Sequence, residues 1–175
     1  MRLPNTGGAF HLHKLYQQPY GIIKKTSHKF FLYNMQVPIN YLTVLFAAIA
    51  SMIIGGLWYG PIFGKKWIAL MGWTPEQVEA GKKKGMGKNY ALMFLGSLLM
   101  SFVLAHSFIF ASSYLNMEGA AAGIMVGVWS WIGLIVPVTM SSVLWEGKSW
   151  RLWVLNNGYY LVTLSVMGIL FAVWQ

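Results

Sequence analysis

The sequence contains no cysteine and no aspartate among its 175 residues. Without cysteine the chain forms no disulfide, has no thiol nucleophile and offers no cysteine-based metal site. The acids are four glutamates, and no pair of carboxylates, no HExxH motif and no Gly-x-Ser-x-Gly motif occurs. Since these are the patterns that carry acid–base, metal or nucleophilic catalysis, the sequence predicts neither an enzyme nor a bound cofactor.

Charge of either sign is also scarce. Charged residues make up 10% of the chain and apolar residues 57%, whereas a soluble domain usually has about 25% charged residues. A composition so poor in charge is typical of an integral membrane protein.

The remaining charge is strongly basic, with 13 Lys and Arg against four acids and a formal net charge of +9. These bases flank apolar runs, which fits contact with anionic lipid headgroups better than nucleic-acid binding, for which no motif is present. We expect Lys82, Lys83 and Lys84 to lie near anionic headgroups, and we expect no nucleic-acid partner.

Four apolar runs are long enough to cross a bilayer, since about 20 helical residues span a hydrocarbon core of about 30 Å. The predicted fold class is therefore all-α integral membrane, a four-transmembrane-helix bundle with an interfacial segment after the first span. Pro137 predicts a kink in the third span. The short connections predict that spans two, three and four are antiparallel neighbours. The predicted spans are about 39–59, 90–111, 120–143 and 152–174, within a membrane domain 35–175.

The segment after the first span begins with a sharp exit at Gly60-Pro61 and continues with aromatic and basic residues, as in a chain lying along the membrane surface. Thr74-Pro75-Glu76-Gln77 then predicts the start of a short helix, with Thr74 and Gln77 forming a capping box. We expect Gly81 to end that helix.

Residues 1–34 differ from the rest, because they are basic and contain no acid. They form either a disordered extension or a stretch that precedes the true start of translation at Met35, which opens directly onto the first span.

The distribution of bases predicts the orientation. Loops 60–88 and 144–151 lie on one side of the four spans, and the connection 112–118 on the other carries no Lys or Arg. The positive-inside rule therefore places both loops in the cytoplasm and the C-terminus outside, in a plasma membrane of bacterial type. The eight bases of the two loops are Lys65, Lys66, Lys82, Lys83, Lys84, Lys88, Lys148 and Arg151.

Small residues recur every four positions in three of the spans, a pattern that allows helices to approach closely. They serve either packing inside the bundle or a homo-oligomer, and the spacing does not distinguish the two. The stripes are Ala47, Ser51 and Gly55; Ser97, Ser101 and Ala105; and Gly119, Gly123 and Gly127.

Aromatic and amide side chains collect at the end of the bundle that carries the basic loops. They form either an aromatic belt that anchors the bundle or a pocket in which an asparagine hydrogen-bonds a lipid headgroup or small amphiphile. At the opposite end Asn40 and His106 form a candidate polar pair. The candidate site at the basic end consists of Trp58, Tyr59, Phe63, Trp67, Trp145, Trp153, Asn156 and Asn157.

The motifs resemble those of a membrane family catalogued as domain of unknown function 1761. Its members have a Gly-x-x-Trp-Tyr motif, here Gly55–Tyr59, and a Phe-Gly-Lys-x-Trp element, here Phe63–Trp67. The stretch 133–137 and the last-span stretch 155–162, ending near Gly168 and Trp174, are similar too. The resemblance covers Met35 to the C-terminus and implies four spans, a membrane location and a start just before the first span, but no activity.

Two functions follow as hypotheses. The favoured one is a helical bundle that binds a lipid, a small amphiphile or a partner subunit. The alternative is a small homodimeric transporter or permease of a small solute, which alone predicts a sidedness-dependent flux in liposomes. Transporters usually have carboxylates at membrane depth or internal repeats, and neither is evident here.

Overall fold

The computed structural model of the protein describes residues 38–83, 85–115 and 117–174. Four of its helical stretches are long and apolar enough to span a membrane, namely Tyr41–Ile62, Gly87–Leu115, Gly119–Leu144 and Trp150–Val173. This confirms the predicted four-span bundle. The predicted extension 1–34, the start at Met35 and the position of Lys84 lie outside the described residues. The helices are α1 Tyr41–Leu57, α2 Gly64–Met71, α3 Pro75–Lys83, α4 Gly87–Leu115, α5 Gly119–Ser130, α6 Val136–Leu144 and α7 Trp150–Val173.

The first span ends in a bent π-helical turn, Trp58–Ile62, in which Gly60 leaves helical geometry at φ −101° and ψ −105°. The chain then reverses tightly into α2. A Cβ on Gly64 would lie 2.6 Å from the carbonyl oxygen of Tyr59, so only glycine fits this reversal. The sharp exit predicted at Gly60-Pro61 is therefore confirmed.

The capping box at the start of α3 is also confirmed. The Gln77 side chain accepts from the Thr74 N–H at 2.9 Å, and the Thr74 hydroxyl accepts from the Gln77 N–H at 3.3 Å. The predicted end at Gly81 is wrong, because α3 continues to Lys83. Gly85, at φ +80°, has the left-handed backbone conformation that ends helices, and its N–H bonds the Lys82 carbonyl.

The third span is interrupted by a second π-helical turn, Trp131–Ile135. It lies just before Pro137, which sits in the first turn of α6. Proline supplies no backbone N–H, so the regular hydrogen-bond ladder breaks here. The hydroxyl of Thr139, in the next turn, donates to the Ile135 carbonyl of its own span at 2.8 Å.

The fourth span, α7, contacts all three other spans, and its contact with α5 is the most extensive in the bundle. Here the backbones nearly touch. A Cβ on Gly123 would collide with the Gly168 carbonyl, and one on Gly127 would lie 2.6 Å from the Leu164 carbonyl oxygen. The stripe of the third span thus packs inside its own bundle, which decides the question that its spacing left open for Gly123 and Gly127.

The other two stripes lie on α1 and α4 and face one another. The hydroxyls of Ser51 and Ser97 lie 3.0 Å apart, and Ser101 donates to the Val44 carbonyl at 2.8 Å. These hydroxyls are buried, so each bond also satisfies a polar group inside the membrane domain. The adjoining hydrophobic core contains Val44, Ala47, Leu104, Ala105, Phe108, Ala122, Leu164, Met167 and Phe171.

Candidate functional site

The two neighbouring asparagines of α7 face different spans. Residues adjacent in a helix point about 100° apart, so Asn156 and Asn157 reach different neighbours. The Tyr59 hydroxyl donates to Asn156 Oδ1 at 3.1 Å. Asn157 Nδ2 instead donates to Thr139 Oγ1 at 3.0 Å and to the Trp153 carbonyl at 3.1 Å. The candidate residues predicted from the sequence are therefore divided between two faces of α7, one towards the first span and one towards the third.

On the side of the first span, aromatic rings pack directly on each other. The indole of Trp58 donates to the Leu155 carbonyl at 3.2 Å and lies against Phe63, with ring centroids 4.6 Å apart. Tyr59 contacts Trp67 at 5.5 Å and Tyr159 at 5.2 Å. These are ordinary distances for packed aromatic pairs, so the rings fill the space that a ligand would need.

On the side of the third span, Asn157 is 2% exposed and belongs to a hydrogen-bonded network. Trp153 Nε1 donates to Thr139 Oγ1 at 3.1 Å, and Trp131 Nε1 donates to the Asn157 carbonyl at 3.0 Å. Thr139 Oγ1 thus accepts two bonds, which fills its acceptor capacity. The acceptors within reach of its single proton include the Ile135 carbonyl at 2.8 Å and Asn157 Oδ1 at 3.2 Å.

Trp145 does not join either side. Its side chain is 84% exposed, beyond the end of α6, whereas Trp153 is partly buried in the network of the third span. Both tryptophans lie near the same end of the bundle, but only Trp153 sits on a helix face that meets a neighbour. Trp145 therefore lies apart from the residues that pack around Asn156 and Asn157.

Three members of the two clusters were absent from the prediction: Thr139, Trp131 and Tyr159. Thr139 carried a usable signal, because a hydroxyl inside a membrane span needs a hydrogen-bond partner. Trp131 and Tyr159 carried none, since an aromatic residue in a span gives no indication of the neighbour that it meets.

The predicted pair of Asn40 and His106 is not formed. The Asn40 side chain caps α1, accepting from the N–H groups of Leu42 at 3.0 Å and Thr43 at 3.2 Å. His106 Nδ1 lies 2.8 Å from the Phe102 carbonyl of its own helix. Each polar group finds a local backbone partner, which leaves no hydrogen bond between them.

An apolar groove of about 290 Å³ lies between α4 and α5, beside Leu115 and Met117 and thus at the end opposite the basic loops. Three of its lining residues are serines, of which Ser107 donates to the Val103 carbonyl and Ser112 to the Ile109 carbonyl of their own helix. The groove therefore presents mainly hydrocarbon. Its lining residues are Ser107, Phe108, Ala111, Ser112, Leu115, Met117, Ala122, Met125, Val126, Trp129 and Ser130.

Comparison with known protein families gives a match over the membrane domain. The family described as protein of unknown function (DUF1761) matches residues 42–172, which is most of the chain. The chain belongs to this family. No curated protein matches it, and no solved structure matches it.

In this DUF1761 protein, two of the stretches that carried the family resemblance, 55–59 and 155–162, pack against each other. A Cβ on Gly55 would lie 3.4 Å from the Tyr159 hydroxyl, and one on Gly158 would lie 3.2 Å from the Trp58 ring. Together with the bond between Tyr59 and Asn156, these contacts clamp the end of the first span onto the last. The Gly-x-x-Trp-Tyr motif is thus a helix-packing element in this fold.

In the described ranges no three His, Cys, Asp or Glu side chains come together. The arrangement as a whole offers one filled aromatic cluster, one buried polar network and one open apolar groove. Of these, the groove alone has room for a ligand.

Proposed function

We propose that this DUF1761 protein binds a membrane lipid or single-chain amphiphile, whose hydrocarbon chain occupies the groove between α4 and α5. The groove of about 290 Å³ is the observation that carries the proposal. Cavities lined by apolar side chains do not hold water. Between two membrane-spanning helices, the molecule that fits such a lining is a hydrocarbon chain, since acyl chains surround the helices.

The aromatic cluster around Tyr59 and the network around Asn157 offer a ligand less room than the groove does. Around Tyr59 the rings are in contact, and Asn157 is buried in bonds to the protein itself. A ligand there would have to displace packed side chains. The proposal includes no reaction, and transport by a homodimer stays a prediction.

Filling the groove tests the proposal. We expect Ala111→Trp to reduce labelling by a photoactivatable fatty acid at residues 107–130 several-fold, because the indole takes the volume of the chain. Ala91→Trp is the matched control, since Ala91 is an exposed residue of the same helix and lies outside the groove. Mass spectrometry of the crosslinked peptides measures both variants. Equal labelling in the two variants, or labelling spread evenly over all four spans, would contradict the proposal.

We further propose the orientation that the bases predict, with loops 60–88 and 144–151 in the cytoplasm. The absence of native cysteine makes single-cysteine labelling clean. We expect Glu118→Cys to react with a membrane-impermeant maleimide in intact cells, and Glu146→Cys to react only after permeabilisation. The reverse pattern would invert the topology without affecting the groove.

A further inference from the structure

The segment between the first two spans concentrates positive charge on helices that are largely exposed. Residues 60–88 contain six lysines and two glutamates, a net charge of +4. The hydrogen bond between Thr74 and the Glu76 side chain lowers the pKa of that carboxyl, so Glu76 is negatively charged at neutral pH. The net charge of +4 already includes this negative charge.

The helix α3 contributes no residue to the core. None of its residues is buried, and it makes no substantial contact with another helix. Its capping box accounts for its fold at the N-terminal end, and left-handed glycines, Gly72 and Gly85, flank it on both sides. A helix held out from the bundle in this way is available to an external surface.

The packing of α2 indicates at what depth in the bilayer that surface lies. Trp67 packs against Tyr59 at the end of the first span and against Trp73, with ring centroids 5.5 Å and 5.0 Å apart. Lys65 and Lys66 on the same helix are exposed. Tryptophan rings favour the headgroup region of a bilayer, so these lysines lie where headgroup phosphates lie.

We propose that α2 and α3 together form a docking surface for anionic phospholipid headgroups of the adjacent leaflet. Lys65 and Lys66 form one pair of cations on it, and Lys82 and Lys83 form the other. Lys82 also pairs with Glu79 at 2.8 Å, but both side chains are more than half exposed, at 68% and 60%, so the pair leaves the lysine accessible. The positive charge of this surface favours an anionic headgroup as its ligand. The surface shares no residue with the groove between α4 and α5.

Lipid titration followed by native mass spectrometry tests the proposal. The full-length protein in a neutral detergent is titrated with phosphatidylglycerol and with phosphatidylcholine of the same acyl chains. We expect phosphatidylglycerol to bind more tightly than phosphatidylcholine. The ratio of the two affinities should fall roughly fivefold for each lysine removed. The variants that remove them are Lys65→Gln/Lys66→Gln and Lys82→Gln/Lys83→Gln. Raising the salt concentration should reduce the same preference by screening.

The control removes two charges elsewhere at the same end of the bundle. Lys148→Gln/Arg151→Gln should change the preference far less, because these residues lie outside α2 and α3. Equal binding of the two lipids by the unaltered protein, or an equal loss in all three double variants, would overturn the proposal. The groove variant Ala111→Trp should weaken both lipids alike and leave their ratio unchanged, so failure of one proposal is distinguishable from failure of the other.

Discussion

Gly168→Ala and Gly123→Ala are each expected to destabilise the folded bundle by about 3 kcal/mol or more, at the upper end of overpacking substitutions. In both cases the new Cβ meets a backbone carbonyl of the facing helix, Gly123 O or Gly168 O, at less than any real contact distance. A backbone cannot rotate away as a side chain can, so α5 and α7 must separate. The unfolding midpoint in dodecyl maltoside, on heating or on titration with sodium dodecyl sulfate, measures the loss.

Gly133→Ala is the control, in the same span as Gly123. A Cβ there has no neighbour within 4 Å, and alanine favours helix over glycine by about 1 kcal/mol. We therefore expect no loss of stability. If Gly168→Ala and Gly133→Ala unfold at the same point, the close approach of α5 and α7 is not present in the protein.

The second large effect is expected at Asn157. Asn157→Ala removes the bonds to Thr139 Oγ1 and to the Trp153 carbonyl from a side chain that is 2% exposed. It also leaves a cavity, and we expect a loss of about 2 kcal/mol from the two causes together. Asn156→Ala removes only the bond from Tyr59, and an interhelical bond in a membrane averages about 0.6 kcal/mol.

A double-mutant cycle separates the network from simple truncation. Thr139→Val and Asn157→Ala each remove the hydrogen bonding between Thr139 Oγ1 and the Asn157 side chain, so their combined loss should be smaller than the sum of the single losses. The same unfolding measurement serves for all variants. Additive losses, or equal losses at the two asparagines, would show that Asn157 is not part of a coupled network.

The sequence determined the features that depend on one segment at a time. Hydropathy and length located the four spans, because a span must be apolar over the thickness of the bilayer whatever its neighbours are. The capping box of Thr74 and Gln77 and the exit at Gly60 were equally predictable, since both are local backbone requirements. The sequence placed the end of α3 at Gly81 instead of Gly85, because the presence of a glycine does not by itself indicate that its φ is positive.

Only the tertiary structure decided which helix faces meet. In water a buried face is marked by its hydrophobicity, but in a membrane both the lipid-facing and the inward-facing sides are apolar, so periodicity does not separate them. The sequence therefore could not place Gly123 against Gly168, or set Trp153 inside and Trp145 outside. For the same reason it could not show the groove between α4 and α5, because a groove exists only where two apolar faces fail to meet.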